Sequence, residues 1–205
     1  MTRVYFVRHA QPEHDWEEDR TRPLTEEGKK DSAIVLEFLK DKKIDAFYCS
    51  PYKRSMDTIA EAADFFTKEI ITDERLRERE KELDGNNHGM FRKRWADHNY
   101  HEEGGESIAM VQKRNIEALN EILSDNTDKD IVIGTHGTAL STILNFYDNN
   151  FGCEDFLRII DWMPYIIELD FESSCNEMES ECPSYSFKLI GKQEHCYIEK
   201  EFKGK

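Results

Sequence analysis

Cysteine is scarce in this chain, with five among 205 residues, at positions 49, 153, 175, 182 and 196. The number is odd and no C-x-x-C pair occurs, so neither a disulfide framework nor a thiolate zinc site is expected, and the thiols should be reduced. Only Cys175 and Cys182 flank an acidic loop across which a bridge could close, and their spacing gives no geometry for judging it. Positive charge is also short: 28 Lys+Arg against 43 Asp+Glu leave a formal net charge of −15. That balance opposes a nucleic-acid or anionic-membrane role, because phosphate backbones and anionic lipids are met by basic surface. No apolar run approaches the roughly 20 residues of a membrane span. Met1 leads straight into a β-like segment rather than a basic region and an apolar signal core, so a cytoplasmic location is expected. No G-x-S-x-G, Walker loop or dinucleotide glycine fingerprint appears, which removes the usual serine-hydrolase, NTPase and Rossmann-cofactor readings.

The length suffices for one substantial core but not two, so a single domain over 1–205 is expected. Strand-like and helix-like stretches alternate as in an α/β protein with a mainly parallel sheet, a three-layer α/β/α sandwich. Residues 2–7 read as a strand, and 25–39 as an amphipathic helix with apolar positions at Ala33, Ile34, Leu36, Phe38 and Leu39. Residues 44–49 read as a second strand. Ser50-Pro51 then suggests a helix start, with Ser as N-cap and Pro at the first helical position, running to about Thr67. A short strand at 70–72 precedes a charged stretch, 73–106, which has no sustained periodicity and reads as a cap-like excursion. Ser107 should cap a helix whose apolar face includes Ile108, Val111, Ile116, Leu119, Ile122 and Leu123, followed by a buried strand at 130–135 and a helix from about Thr138. Residues 165–171 and 185–190 read as strands of an antiparallel edge, separated by the acidic loop 172–184, and 199–205 as a frayed tail.

Three strand ends carry unusual polar groups: Arg8-His9 after the first, Ser50 with Arg54 after the second, and His136-Gly137-Thr138 after the later one. In open α/β sheets the carboxyl ends of strands form the ligand crevice, and helix N-termini there favour anions. Two histidines and two arginines on that rim describe a phosphate pocket in an otherwise acidic protein. Singly, each motif has an ordinary reading: an Arg-His pair is common, and His136 beside Gly137 suits a satisfied histidine at a turn. Cys49 followed by Arg54 evokes a cysteine-dependent phosphatase loop, but one residue too few lies between them and Pro51 removes a backbone donor, so Cys49 reads as a buried strand residue. His98, His101 and Glu102 lack a fourth ligand and read as wet loop rather than metal cluster.

Taken in order, these residues resemble the signature of the histidine phosphatase superfamily, the phosphoglycerate mutase-like proteins. Val7-Arg8-His9-Ala10 is similar to its R-H-G/A motif, Pro23-Leu24-Thr25-Glu26-Glu27-Gly28 to L-T-x-x-G, Ser50-Pro51-Tyr52-Lys53-Arg54-Ser55 to S-P-x-x-R, and Leu76-Arg77-Glu78 to L-x-E; Gly104-Gly105-Glu106-Ser107 and Thr135-His136-Gly137 complete the set. The resemblance implies a phosphohistidine mechanism without metal or other cofactor: His9 as nucleophile, Arg8, Arg54 and His136 around the phosphoryl oxygens, and Glu78 as general acid, with Glu74, Glu80 and Glu82 as alternatives in the same charged run. Gln11, His14 and Gly137 are candidate substrate contacts, and the implied partner is a small phosphorylated substrate. The loop Glu13-His14-Asp15-Trp16 lacks the Asn usual in mutases, and the stretch from Glu78 to His136 is shorter than a mutase cap and has no Arg-Arg pair. Both departures favour a phosphatase over a phosphoglycerate mutase; a low-turnover phospho-ligand binding module is the reading from a different class. The sequence does not specify the oligomeric state.

Overall fold

The computed structural model describes residues 1–81, 87–174 and 186–200. Its centre is a six-stranded sheet in the order β3-β2-β4-β1-β5-β6. The strands are β1 (Thr2–Arg8), β2 (Ala46–Cys49), β3 (Ile70–Thr72), β4 (Asp130–Thr135), β5 (Trp162–Ser174) and β6 (Ser186–Glu199). The first four run parallel, and β5 and β6 add an antiparallel edge. The helices are α1 (Glu26–Asp31), α2 (Ala33–Leu39), α3 (Lys53–Phe65), α4 (His88–Ala96), α5 (Ile108–Asp125), α6 (Gly137–Tyr147) and α7 (Cys153–Ile159).

The period-2 alternation of the central strands divides the core between the two faces of the sheet. Val4, Phe6, Ile131 and Ile133 join α5, α6 and α7 on one face, whereas Tyr5, Val7 and Val132 meet α2 and α3 on the other. Near-continuous apolar runs in β1 and β4 follow from burial on both sides, as parallel strands require. No helix among the described residues is long and apolar enough to cross a membrane.

Several elements differ from the sequence expectation. The helix expected over 25–39 is divided at Ser32, and Val35, outside the apolar positions read from periodicity, is fully buried. Ser50 does not cap a helix beginning at Pro51. The helix starts two residues later, at Lys53, and the Ser50 hydroxyl is taken up by the Tyr52 N–H at 3.2 Å and by His136. The stretch 73–106 includes α4, which sends Phe91 and Trp95 into the core against Phe156. Its weak periodicity conceals it, because Arg94 is buried on the same helix through pairing with Glu102. The antiparallel edge is longer than expected and pairs from Trp162 to Ser174 against Ser186 to Glu199. Lys200 is anchored to Glu27 and Asp31 rather than frayed, while Cys175, Cys182 and residues 201–205 lie outside the described residues.

Candidate active site

The parallel register fixes where the chemistry collects. Beyond the last paired residues of β1 and β4, the His9 N–H donates to the Thr135 carbonyl at 3.1 Å, and the Ser50 N–H donates to Gly134 at 3.0 Å. His9, Ser50 and His136 thus leave three adjacent strands at the same edge of the sheet. The His9 and His136 rings lie with centroids 5.2 Å apart, and Tyr52 packs edge-on against His136 at 5.3 Å. Two helices begin here without side-chain caps, α3 just before Arg54 and α6 just after His136. Their N-termini bring the positive ends of two helix dipoles to one place.

His9 is buried, and its Nδ1 lies 2.7 Å from the Ala10 carbonyl oxygen. A carbonyl only accepts, so Nδ1 carries the proton and Nε2 keeps its lone pair. The Ala10 N–H is held in turn by Thr58 Oγ1 at 2.9 Å. Burial, Arg54 and Arg8 together hold the His9 imidazole well below the usual histidine range, and burial, Arg54 and His9 do the same to His136. His136 Nε2 meets Ser50 Oγ at 2.7 Å, and its Nδ1 is buried without a hydrogen-bond partner. Both rings are therefore expected to remain neutral as pH falls below about 6.5, where unfolded histidines take up protons. The unfolded chain then binds more protons than the folded one. Stability is thus retained above that pH and lost below it, by about 1.4 kcal/mol per pH unit for each ring until the folded rings titrate. Side-chain NMR at pH 5.5 checks this directly: neutral-imidazole shifts at both residues are expected, and imidazolium shifts contradict it.

Arg8 is buried and donates from Nη1 to the carbonyls of Ile159 (2.6 Å) and Trp162 (3.2 Å), leaving a buried Nε without a partner. Burial lowers its guanidinium pKa to about 10, against the pull of Glu78 and Asp161, so it stays charged at neutral pH. Its plane packs on the start of α6: a Cβ at Gly137 would sit 3.2 Å from the Arg8 Cζ, closer than an ordinary contact. Arg54 is also buried, with its guanidinium 5.0 Å from the Tyr52 ring centroid. It donates to the Asp19 carbonyl at 2.7 Å and lies 3.3 Å from the Asp19 carboxylate, which Arg22 also approaches to 3.1 Å. Two buried guanidiniums, Arg8 and Arg54, therefore stand together in a protein of net charge −15, with the Asp19, Glu78 and Asp161 carboxylates acting on them.

Glu78 follows a 3₁₀ turn at Glu74–Leu76. Its Oε2 accepts from the Thr138 N–H at 3.1 Å and its Oε1 from the Arg79 N–H at 2.7 Å, which places the carboxyl at the N-terminus of α6. Of its sequence alternatives, Glu74 pairs with Arg20 and Glu80 with Arg77; Glu82 lies outside the described residues.

The other candidates occupy different positions. Gln11 is committed to the L-T-x-x-G segment: its carbonyl accepts from the Thr25 N–H at 3.0 Å and its Oε1 from the Thr25 hydroxyl at 3.1 Å. A Cβ at Gly28 would fall 2.2 Å from the Gln11 carbonyl oxygen, so only glycine allows this approach. His14 lies in the exposed loop after His9. Cys49 is buried, hydrogen-bonds Ser55 at 3.3 Å, and has its thiol pushed up to about 12 by burial, the environment of an inert thiol. Glu102 is engaged by Arg94, and among the described residues no group of three or more His, Cys, Asp and Glu side chains is placed to hold a metal ion. Sequence reading misses Asp19, Arg22 and Tyr52, because two lie in a charged loop without periodicity and the third carries no chemistry until its ring is seen between Arg54 and His136.

A family model described as histidine phosphatase superfamily (branch 1) matches residues 4–161. The chain belongs to this superfamily. The histidine phosphatase described above is 27% identical over 157 residues to phosphoserine phosphatase 1 of Hydrogenobacter thermophilus, covering 66% of this chain and 71% of the relative. Its fold resembles that of mycobacterial glucosyl-3-phosphoglycerate phosphatase in complex with VO3, with a TM-score of 0.71 at 17% identity over 91% of this chain and 96% of the other. It also resembles the phosphoserine phosphatase of Entamoeba histolytica in complex with 3-phosphoglyceric acid, with a TM-score of 0.68 at 23% identity over 92% and 97% of the two chains. Family membership and phosphatase relatives make this chain a phosphoric monoester hydrolase.

Proposed function

We propose that this protein is a metal-independent phosphatase that hydrolyses a small phosphate monoester through a phosphohistidine on His9. The observation that carries this reading is the His9 Nδ1 contact with the Ala10 carbonyl, which leaves Nε2 as a lone pair beside two buried arginines and a second imidazole. Nε2 attacks phosphorus as the P–O ester bond breaks, and Glu78 gives its proton to the departing oxygen. Water then attacks the phosphoryl group, Glu78 takes the water proton, the P–N bond breaks, and neutral His9 returns. Arg8, Arg54 and His136 surround the phosphoryl oxygens, where preorganised donors stabilise the charge of the loose transition state. Gly137 lets Arg8 approach the start of α6, while Gln11 and His14 belong to the loop facing the leaving group. The reduced thiols and the acidic surface suit a cytoplasmic enzyme.

The relatives act, by their names, on phosphoserine and on a glucosylated phosphoglycerate, and these favour small, anionic phosphate esters as substrates here. A second reading has one observation behind it: 43% identity over 53 residues, 26% of this chain, to the 2,3-bisphosphoglycerate-dependent phosphoglycerate mutase of Thermoplasma acidophilum. Phosphate release is therefore measured across phosphoserine, phosphoglycerates, sugar phosphates, nucleotides and phosphopeptides, with chelator present and with or without a bisphosphate primer. Release from a small ester is expected in chelator and without primer. Activity lost in chelator and restored by a divalent ion overturns the metal-free mechanism. Isomerisation that requires the primer, with little release, establishes the mutase.

A further inference from the structure

Glu78 lies on neither a helix nor a strand, yet a general acid must be held to within a fraction of an ångström of its proton's destination. The segment that delivers it is held from α5. Arg114 Nη1 donates to the carbonyls of Arg75 and Arg77, both at 2.7 Å, and Nη2 to the carbonyl of Glu78 itself at 3.1 Å. The same guanidinium is gripped by Glu106, from Nε at 2.9 Å and Nη2 at 2.8 Å. Glu106 also accepts from Arg77 Nη2 at 3.0 Å and from the Glu80 N–H at 2.9 Å, while its own N–H donates to the Glu80 carbonyl at 3.1 Å. The backbone is thus fastened on both sides of Glu78, at 75–78 by Arg114 and at 80 by Glu106. Burial works against the charge on Glu106, but Arg114, the Glu80 N–H and Arg77 hold its carboxyl below the usual range. The G-G-E-S motif therefore has a use beyond capping α5, because its Glu shares one ion pair with the acid-bearing segment.

We infer that Arg114 and Glu106 are a positioning pair that aims the Glu78 carboxyl for proton transfer. Neither side chain touches the phosphoryl site, so their effect passes through Glu78, and the inference rests on the phosphatase reading above. The geometry is specific to a planar fork: lysine at 114 keeps the charge but cannot serve three carbonyls and a carboxylate together. Loss of the clamp should therefore resemble loss of the acid more than loss of the fold.

The test compares kcat/KM, which reports the step in which the leaving group departs, for an alkyl phosphate and for p-nitrophenyl phosphate. Arg114→Lys and Glu106→Gln are made in the full chain, alone and combined with Glu78→Gln, with thermal unfolding recorded for each. In the single variants the alkyl ester is expected to slow roughly 10- to 100-fold, and the nitrophenyl ester less than about 3-fold, because nitrophenolate leaves with little need of a proton. In the Glu78→Gln background neither change should add appreciably to the alkyl-ester loss, the non-additivity of groups acting through one another. Equal slowing of both esters, or a full additional loss in the Glu78→Gln background, overturns the inference. Should Arg114→Lys fail to fold, Glu106→Gln, nearly isosteric, carries the same comparison. A wild-type protein that releases phosphate from neither ester instead overturns the phosphatase reading itself.

Discussion

His9→Ala is expected to abolish phosphate release, by roughly 10⁴-fold or more, the scale on which enzymes lose rate when a covalent nucleophile is removed. The reason is local. The His9 ring presents a lone pair, on Nε2, beside Arg8 and Arg54, because its Nδ1 proton is committed to the Ala10 carbonyl. His136 is 5.2 Å away, centroid to centroid, but its Nε2 is engaged by Ser50, so it is poorly placed to substitute. The substitution empties a buried volume beside His136 and costs about 1–3 kcal/mol of stability, a loss that leaves most folded domains folded. Arg8 and Arg54 retain their backbone anchors in the variant, so inorganic phosphate should still inhibit binding of a fluorescent phosphate analogue. A His9→Ala protein that folds and keeps more than a tenth of wild-type turnover would show that another group attacks phosphorus.

The second large effect is selective. Glu78→Gln should slow alkyl phosphates by about 10² to 10⁴, the usual worth of a positioned acid, while p-nitrophenyl phosphate changes far less in kcat/KM. Glutamine keeps the shape, and its one carbonyl oxygen can still accept from either the Thr138 or the Arg79 N–H, so one of the two contacts that hold the side chain at the start of α6 is kept. What it removes is the proton. An alkoxide is a poor leaving group and its departure depends on that proton, whereas nitrophenolate is stable without it. Equal slowing of the two esters would remove Glu78 from the role and point to a neighbour or to water.

The central α/β frame was legible because each core strand is a short apolar run and each major helix carries a periodic face, as at Ile108, Val111 and Leu119 of α5. The convergence of Arg8, His9, Arg54 and His136 followed from topology: parallel strands whose chain order places their carboxyl ends side by side bring their exits together. Elements stabilised by tertiary contacts rather than by pattern were less legible. α4 buries Arg94 among aromatic neighbours, so its burial is not apolar periodicity. Ser50 has the composition of a helix cap but its hydroxyl faces His136, and a lone Ser-Pro pair contains nothing to separate the two uses. The contacts of Asp19 with Arg54, and of Arg114 with three carbonyls, cross 35 or more positions of sequence and depend on loop conformations that periodicity does not encode.

Quenching into alkaline denaturant after millisecond mixing with labelled p-nitrophenyl phosphate, followed by peptide mapping at high pH, tests the central claim most directly. The account predicts one acid-labile, base-stable phosphoryl group per chain, on Nε2 of His9, formed in chelator and absent from His9→Ala. Turnover without any phosphoenzyme, or label on Cys49, on a serine or on another histidine, would contradict it.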